Sequence, residues 1–136
     1  MSKKKPLVIS FDGNIGSGKS TILKYLQNNF ESYFNSKNNN GINKIKIAFL
    51  QEPVNSWERI IDDKTDKNLI EVFYESSKRY AFAFQMNAYI SRLSQFLKFL
   101  NNDYDVIITE RSIFTDKNVF AKMLFDLNIL ESIEYK

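Results

Sequence analysis

Cysteine and histidine are both absent from the 136 residues. Their absence excludes disulfides, Cys/His zinc sites, thiol nucleophiles and Ser-His-Asp catalysis. Any metal must then be a hard ion held by oxygen, such as Mg²⁺. No apolar run approaches the roughly 18 residues of a membrane-spanning helix, so no membrane partner is expected. Residues 7–11 are too short an apolar run for the core of a signal peptide. A cytoplasmic location follows by default, with a mitochondrial one left open. Charge of one sign is also scarce: 19 Lys and Arg stand against 16 Asp and Glu, a net charge of +3. Part of that excess sits in Lys3, Lys4 and Lys5, which read as a solvated tail. Nothing else forms a basic stripe, so no nucleic-acid partner is expected.

What the chain does have is apolar and aromatic residues, 43% and 15% of the total. That is enough to build the core of one domain, taken as residues 1–136. LVISF (7–11), KIKIAFL (44–50) and DVIIT (105–109) are apolar runs that read as strands. TILKYLQNNF follows Ser20 with its apolar residues at helical spacing. NSKNNNGIN (35–43) reads as a polar loop, and residues 56–62 and 66–77 as helices. Residues 78–100 form the longest expected helix, with an apolar stripe through Ala83, Met86, Ile90, Leu93, Leu97 and Leu100. Gln85, Ala88 and Arg92 share a different face of it. A last helix is expected after Glu110-Arg111-Ser112, over 113–130. Apolar strands alternating with helices argue for an α/β fold, a parallel sheet covered on both faces.

Gly13-Asn14-Ile15-Gly16-Ser17-Gly18-Lys19-Ser20 fits G-x-x-x-x-G-K-[ST], with a strand before it and a helix after it. The glycines let the backbone curl so that its N–H groups hold phosphate oxygens. Lys19 can reach the outer phosphates, and the Ser20 hydroxyl can ligate Mg²⁺. The second strand ends at Glu52, which Pro53 biases toward an extended backbone. The third ends at Glu110-Arg111. In a parallel sheet all three strand tips share one rim, where open α/β sheets bind ligands. Phosphoryl transfer needs such a set: a carboxylate to take a proton, cations for the moving group, and a metal on the phosphates. Singly, each residue has an ordinary structural explanation; their joint position carries the inference.

The segments GNIGSGKST, QEPVNSW, FAFQMNAYISR and ITERSIFTDKNVF together resemble the deoxyribonucleoside kinase family, in its deoxycytidine and deoxyguanosine kinase branch. The resemblance spans nearly the whole chain. It implies a P-loop NTPase-type parallel sheet flanked by helices, and ATP with Mg²⁺ as cofactors. It implies phosphate binding by Gly13 through Thr21, general-base action by Glu52, and Arg111 beside the reacting hydroxyl. Glu110 joins Ser20 near Mg²⁺. Tyr74 would touch the sugar 3′-hydroxyl, and Gln85 would pair with the base edge. Trp57, Phe84 and Phe120 would enclose the base. Arg92 and Asp116 would form the pair that separates cytidine and guanosine kinases from thymidine-using relatives. Asp116 can accept from an exocyclic amino group, which thymine lacks, and Ala88 leaves space for a larger base. A homodimer through the 78–100 and 113–130 helices is implied as well.

Measured against that family, LFDLNILESIEYK falls short of the arginine-rich lid, of a carboxylate for the 3′-hydroxyl and of the last two strands. No arginine follows Arg111. LVISF is therefore expected at a sheet edge with apolar side chains exposed, and turnover by these 136 residues is expected to be weak or absent. Two alternatives stay open: a nucleotide-binding remnant without catalysis, and a nucleoside monophosphate kinase.

Overall fold

A computed structural model describes residues 5–37 and 45–136. The basic residues Lys3 and Lys4, and most of the expected loop at 35–43, lie outside these. The chain divides into two compact units, Met1–Glu52 with Gln95–Arg111, and Pro53–Ser94 with Ser112–Lys136.

The first unit is built on a parallel sheet of β1 (Leu7–Phe11), β2 (Ile47–Leu50) and β3 (Val106–Glu110), in the order β1-β3-β2. The α/β reading of the sequence is thus met. The pairing sets Ala48 beside Ile107 and Leu50 beside Thr109. Alternation along a strand then sends Ala48, Leu50 and Ile107 to one face. There they form a buried cluster with Phe96, Phe99, Leu100 and Tyr104 packed on it. Phe49, on the opposite face, meets Phe30 of α1 (Lys19–Lys37) edge-on at 6.3 Å. Among the described residues β1 pairs only with β3, and so stands at the sheet edge. Leu7, Val8 and Ile9 remain 60%, 44% and 40% exposed, on both faces.

The second unit contains α2 (Val54–Glu58), α3 (Leu69–Glu75) and most of α4 (Ser77–Leu100). After α4 and β3 come α5 (Ile113–Thr115), a π-helix (Asp116–Ala121), α6 (Lys122–Asp126) and α7 (Ser132–Tyr135). Its core gathers Ala81, Leu124 and Leu130, with Phe73, Ala121, Phe125 and Ile129 against them. Asn68 caps α3 by accepting from the amides of Ile70 and Glu71, while Glu71 reaches back to the Asn68 amide. This reciprocal cap satisfies amides that have no partner within the helix.

Several expected boundaries are corrected. The helix over 56–62 stops at Glu58, because Ile61 instead forms an antiparallel bridge with Asn68 around a turn held by Asp62 and Thr65. The expected strand at 44–50 is ordered as strand only from Ile47, and α1 continues through Lys37 into the expected loop. The helix expected over 113–130 is interrupted by the π-helix and ends at Asp126. Along the apolar stripe of α4, Met86, Ile90 and Leu97 are exposed while Leu100 packs on the sheet's buried cluster, and the buried positions of the helix are Ala81, Ala88 and Arg92. Among the described residues no helix is long and apolar enough to cross a membrane.

Candidate active site

The loop between β1 and α1 turns on glycine. Gly16 and Gly18 have φ of +77° and +85°, in the left-handed region where side chains are strained. Lys19 opens α1 and is buried, its ammonium donating to the carbonyl of Asn14 at 2.7 Å and to the Ser17 hydroxyl at 3.4 Å. The Asn14 carbonyl also accepts from the Ser17 amide. The loop is therefore closed on itself around the lysine, while Asn14, Ile15, Gly16, Ser17, Gly18, Ser20 and Thr21 lie exposed. The Ser20 hydroxyl donates to Glu110 Oε1 at 2.6 Å. These two oxygens come from the first turn of α1 and the tip of β3. They are the kind of hard donors that suit Mg²⁺, which commonly takes one or two carboxylates together with substrate phosphates.

At the end of β3 the chain makes an uncommon turn. Arg111 is buried with φ of +62°, a left-handed conformation that costs a residue with a Cβ roughly 1–2 kcal/mol. Its amide donates to the Phe11 carbonyl at 3.0 Å, and its own carbonyl accepts from the buried Thr109 hydroxyl at 2.8 Å. So turned, the guanidinium donates through Nη1 to the Gly13 carbonyl at 2.9 Å, and Nε lies 3.5 Å from Glu52 Oε1. Glu52 keeps 22% of its side chain exposed. One arginine thus joins the tips of all three strands: the phosphate loop after β1, Glu52 after β2 and its own position after β3. Sequence reasoning placed Arg111 on this rim. It missed Thr109, which nothing in the pattern distinguishes from an ordinary strand residue.

The remaining predicted residues all belong to the second unit. Arg92 Nε donates to Asp116 Oδ2 at 2.8 Å, with side chains only 7% and 5% exposed. The pair joins α4 to the first residue of the π-helix. Trp57 meets Phe84 edge-on at 5.6 Å, Phe84 stacks on Phe73 at 4.6 Å, and Phe73 lies 5.2 Å from Tyr74. Trp57, Phe84 and Tyr74 are brought together in this way, through a phenylalanine that sequence reasoning did not name. Ala88 is buried on α4 and Phe120 is half-buried on the π-helix. Gln85 and Asp116 line a cavity of about 270 Å³ with Tyr89, Lys117 and Tyr135, whereas Trp57, Phe84, Ala88, Arg92 and Phe120 do not line it.

The family model for deoxynucleoside kinases matches residues 9–136. A fowlpox virus (strain NVSL) protein named a probable deoxycytidine kinase is 32% identical over 127 residues, 93% of this chain and 44% of its own length. The mitochondrial deoxyguanosine kinase of Xenopus laevis is 28% identical over 141 residues, covering 93% of this chain and 48% of the relative. Human deoxycytidine kinase is 27% identical over 143 residues, again 93% of this chain and 50% of the relative. The chain thus spans about half the length of the curated relatives it matches.

Proposed function

The chain belongs to the deoxynucleoside kinase family, and from that membership we propose that it transfers the γ-phosphoryl group of ATP to the 5′-hydroxyl of a deoxyribonucleoside. The observation that carries this is Arg111, whose guanidinium bonds the phosphate loop at Gly13 and stands beside Glu52. A proton acceptor and a fixed cation at the rim of the phosphate cradle are what an in-line transfer requires.

Glu52 takes the 5′-hydroxyl proton as the O5′–Pγ bond forms, and the bond from Pγ to the β,γ-bridging oxygen breaks to release ADP. Lys19 and Arg111 offset the charge on the transferring group. Phosphate oxygens are held by the amides of Gly13 through Thr21, the phosphate loop and the start of α1. Ser20 and Glu110 would hold Mg²⁺, which supplies charge neutralisation of the phosphates when bound. Tyr74 contacts the sugar 3′-hydroxyl; Trp57, Phe84 and Phe120 enclose the base, with Ala88 giving it room. Gln85 offers a donor and an acceptor to the base edge. The Arg92–Asp116 pair favours a base with an exocyclic amino group, so deoxyguanosine, deoxycytidine or deoxyadenosine is preferred to thymidine. Exposed Met86 and Ile90 on α4, with Val119 on the π-helix, Met123 on α6 and Leu127 just after it, suit a homodimer formed through these helices.

We expect slow turnover, because Arg111 and Lys19 are the only side-chain cations assigned to the transition state beside Mg²⁺. A second reading keeps nucleotide binding without transfer; the apolar edge of β1, unpaired among the described residues, favours it. For a nucleoside monophosphate kinase, Arg59, Arg79, Arg92 and Arg111 provide no phosphate-binding set, and Arg92 is engaged by Asp116. A phosphate-transfer assay with the four deoxynucleosides and ATP separates these. Slow labelling of the three amino-bearing substrates supports the kinase, ATP binding with no labelling supports the second reading, and efficient thymidine use refutes the specificity.

A further inference from the structure

We propose that Ser91 is a positioning residue for the nucleobase: its hydroxyl fixes the indole of Trp57, and with it one wall of the slot that receives the base. The role as a base wall rests on the kinase reading above; the coupling of Ser91 to Trp57 does not. Trp57 Nε1 donates to Ser91 Oγ at 2.8 Å, and Ser91 Oγ donates in turn to the Ala88 carbonyl at 3.0 Å. The second bond points back one turn of α4 and fixes the hydroxyl rotor, so that a lone pair faces the indole. Trp57 is only 5% exposed. A buried indole N–H without an acceptor would carry the cost of its lost hydration.

The neighbouring backbone gives the indole little orientation of its own. Helix α2 has five residues, and Pro53 before it makes no side-chain cap. A helix that short has almost no intrinsic stability. Its single tryptophan is held instead by α4, on the same turn that carries Ala88 and Arg92. The hydrogen bond fixes one edge of the ring, and the contact with Phe84 at 78° fixes the plane. Loss of the Ser91 hydroxyl frees the first constraint, and the ring then rotates or tilts within the aromatic group.

Trp57 is the only tryptophan in the chain, so its emission reports on this contact directly. In the full chain, Ser91→Ala is expected to shift the wavelength of Trp57 emission. It is also expected to weaken deoxycytidine and deoxyguanosine binding, measured by calorimetry, about threefold to tenfold, the worth of one hydrogen bond. ATP-Mg²⁺ affinity stays unchanged. Ser91→Thr, which retains the hydroxyl, restores both the emission and the affinity. Trp57→Phe removes the donor and weakens nucleoside binding, and adding Ser91→Ala to it costs nothing further. Ser91→Ala with unaltered emission overturns the proposal, as does an equal affinity loss in the Trp57→Phe background. If the unsubstituted chain binds ATP but no deoxynucleoside, the kinase reading and the base-wall role fall together, and the emission shift alone decides whether Ser91 holds Trp57.

Discussion

Replacing Asp116 by alanine leaves the Arg92 guanidinium in a site where its side chain is 7% exposed, without the carboxylate 2.8 Å away. The cost of breaking such a buried pair is about 3–5 kcal/mol, because the surviving charge keeps its desolvation penalty and loses its compensation. Against a total stability of order 5–15 kcal/mol, that is a large share. For a chain of this size it corresponds to a fall in Tm on the order of 10–20 °C. Replacing both partners, Arg92→Met with Asp116→Leu, removes both charges from the interior. The double variant is therefore expected within about 1 kcal/mol of the unsubstituted protein. Urea unfolding followed by the emission of Trp57, in the same unit as the pair, measures all four corners of the cycle. The expected coupling is about 3 kcal/mol or more. Single substitutions that cost less than about 1 kcal/mol and add without coupling would mean that water reaches the pair, as in an exposed salt bridge. They would refute both the burial argument and the specificity built on it.

Three further outcomes are open to direct measurement. Asn68→Ala removes the acceptor of two amides at the start of α3 and is expected to cost about 1 kcal/mol in thermal unfolding; no change would remove the cap from the account. The Thr65 hydroxyl holds the Asp62 carboxyl below its ordinary range, with a smaller contribution from the Thr65 amide. Stability from that bond is therefore fully present above the unfolded carboxylate pKa and is lost as pH falls through the depressed folded value. NMR titration should show the Asp62 midpoint rising in Thr65→Val, and an unmoved midpoint would contradict the cause assigned. Val8→Lys places a charge on the open edge strand, where it blocks edge-to-edge pairing. Self-association of the unsubstituted chain through this edge is expected, and light scattering should show less of it in the variant with an unchanged circular dichroism spectrum; equal scattering would contradict pairing through the edge.

The phosphate loop was legible because its conformation needs glycine at fixed positions, and glycine is visible in a sequence. Glu52, Glu110 and Arg111 were legible through topology: parallel strands put their C-terminal tips on one rim. The left-handed turn at Arg111 was not legible, since a long side chain at positive φ is stabilised only by its surroundings, here Thr109, Phe11 and Gly13. Periodicity located the apolar stripe of α4, but which positions are buried was not legible from it, because they include Arg92 and small alanines. It also could not separate a helix from the Ile61–Asn68 bridge, because residues 56–62 mix polar and apolar positions over too short a span to show a period. Phe73 escaped notice for a related reason. Its stacking on Phe84 joins two different helices, and no spacing within either one records it.

The central claim is that Glu52, held beside Arg111 at the rim of the phosphate loop, accepts the proton of the attacking hydroxyl. Single-turnover transfer of labelled γ-phosphate to deoxyguanosine and deoxycytidine, with protein in excess, tests it most directly in the unsubstituted chain and in Glu52→Gln. The prediction is slow but measurable transfer in the first. In the second the rate should fall on the order of a hundredfold or more, with ATP affinity unchanged. Equal rates in the two proteins would contradict the role assigned to Glu52.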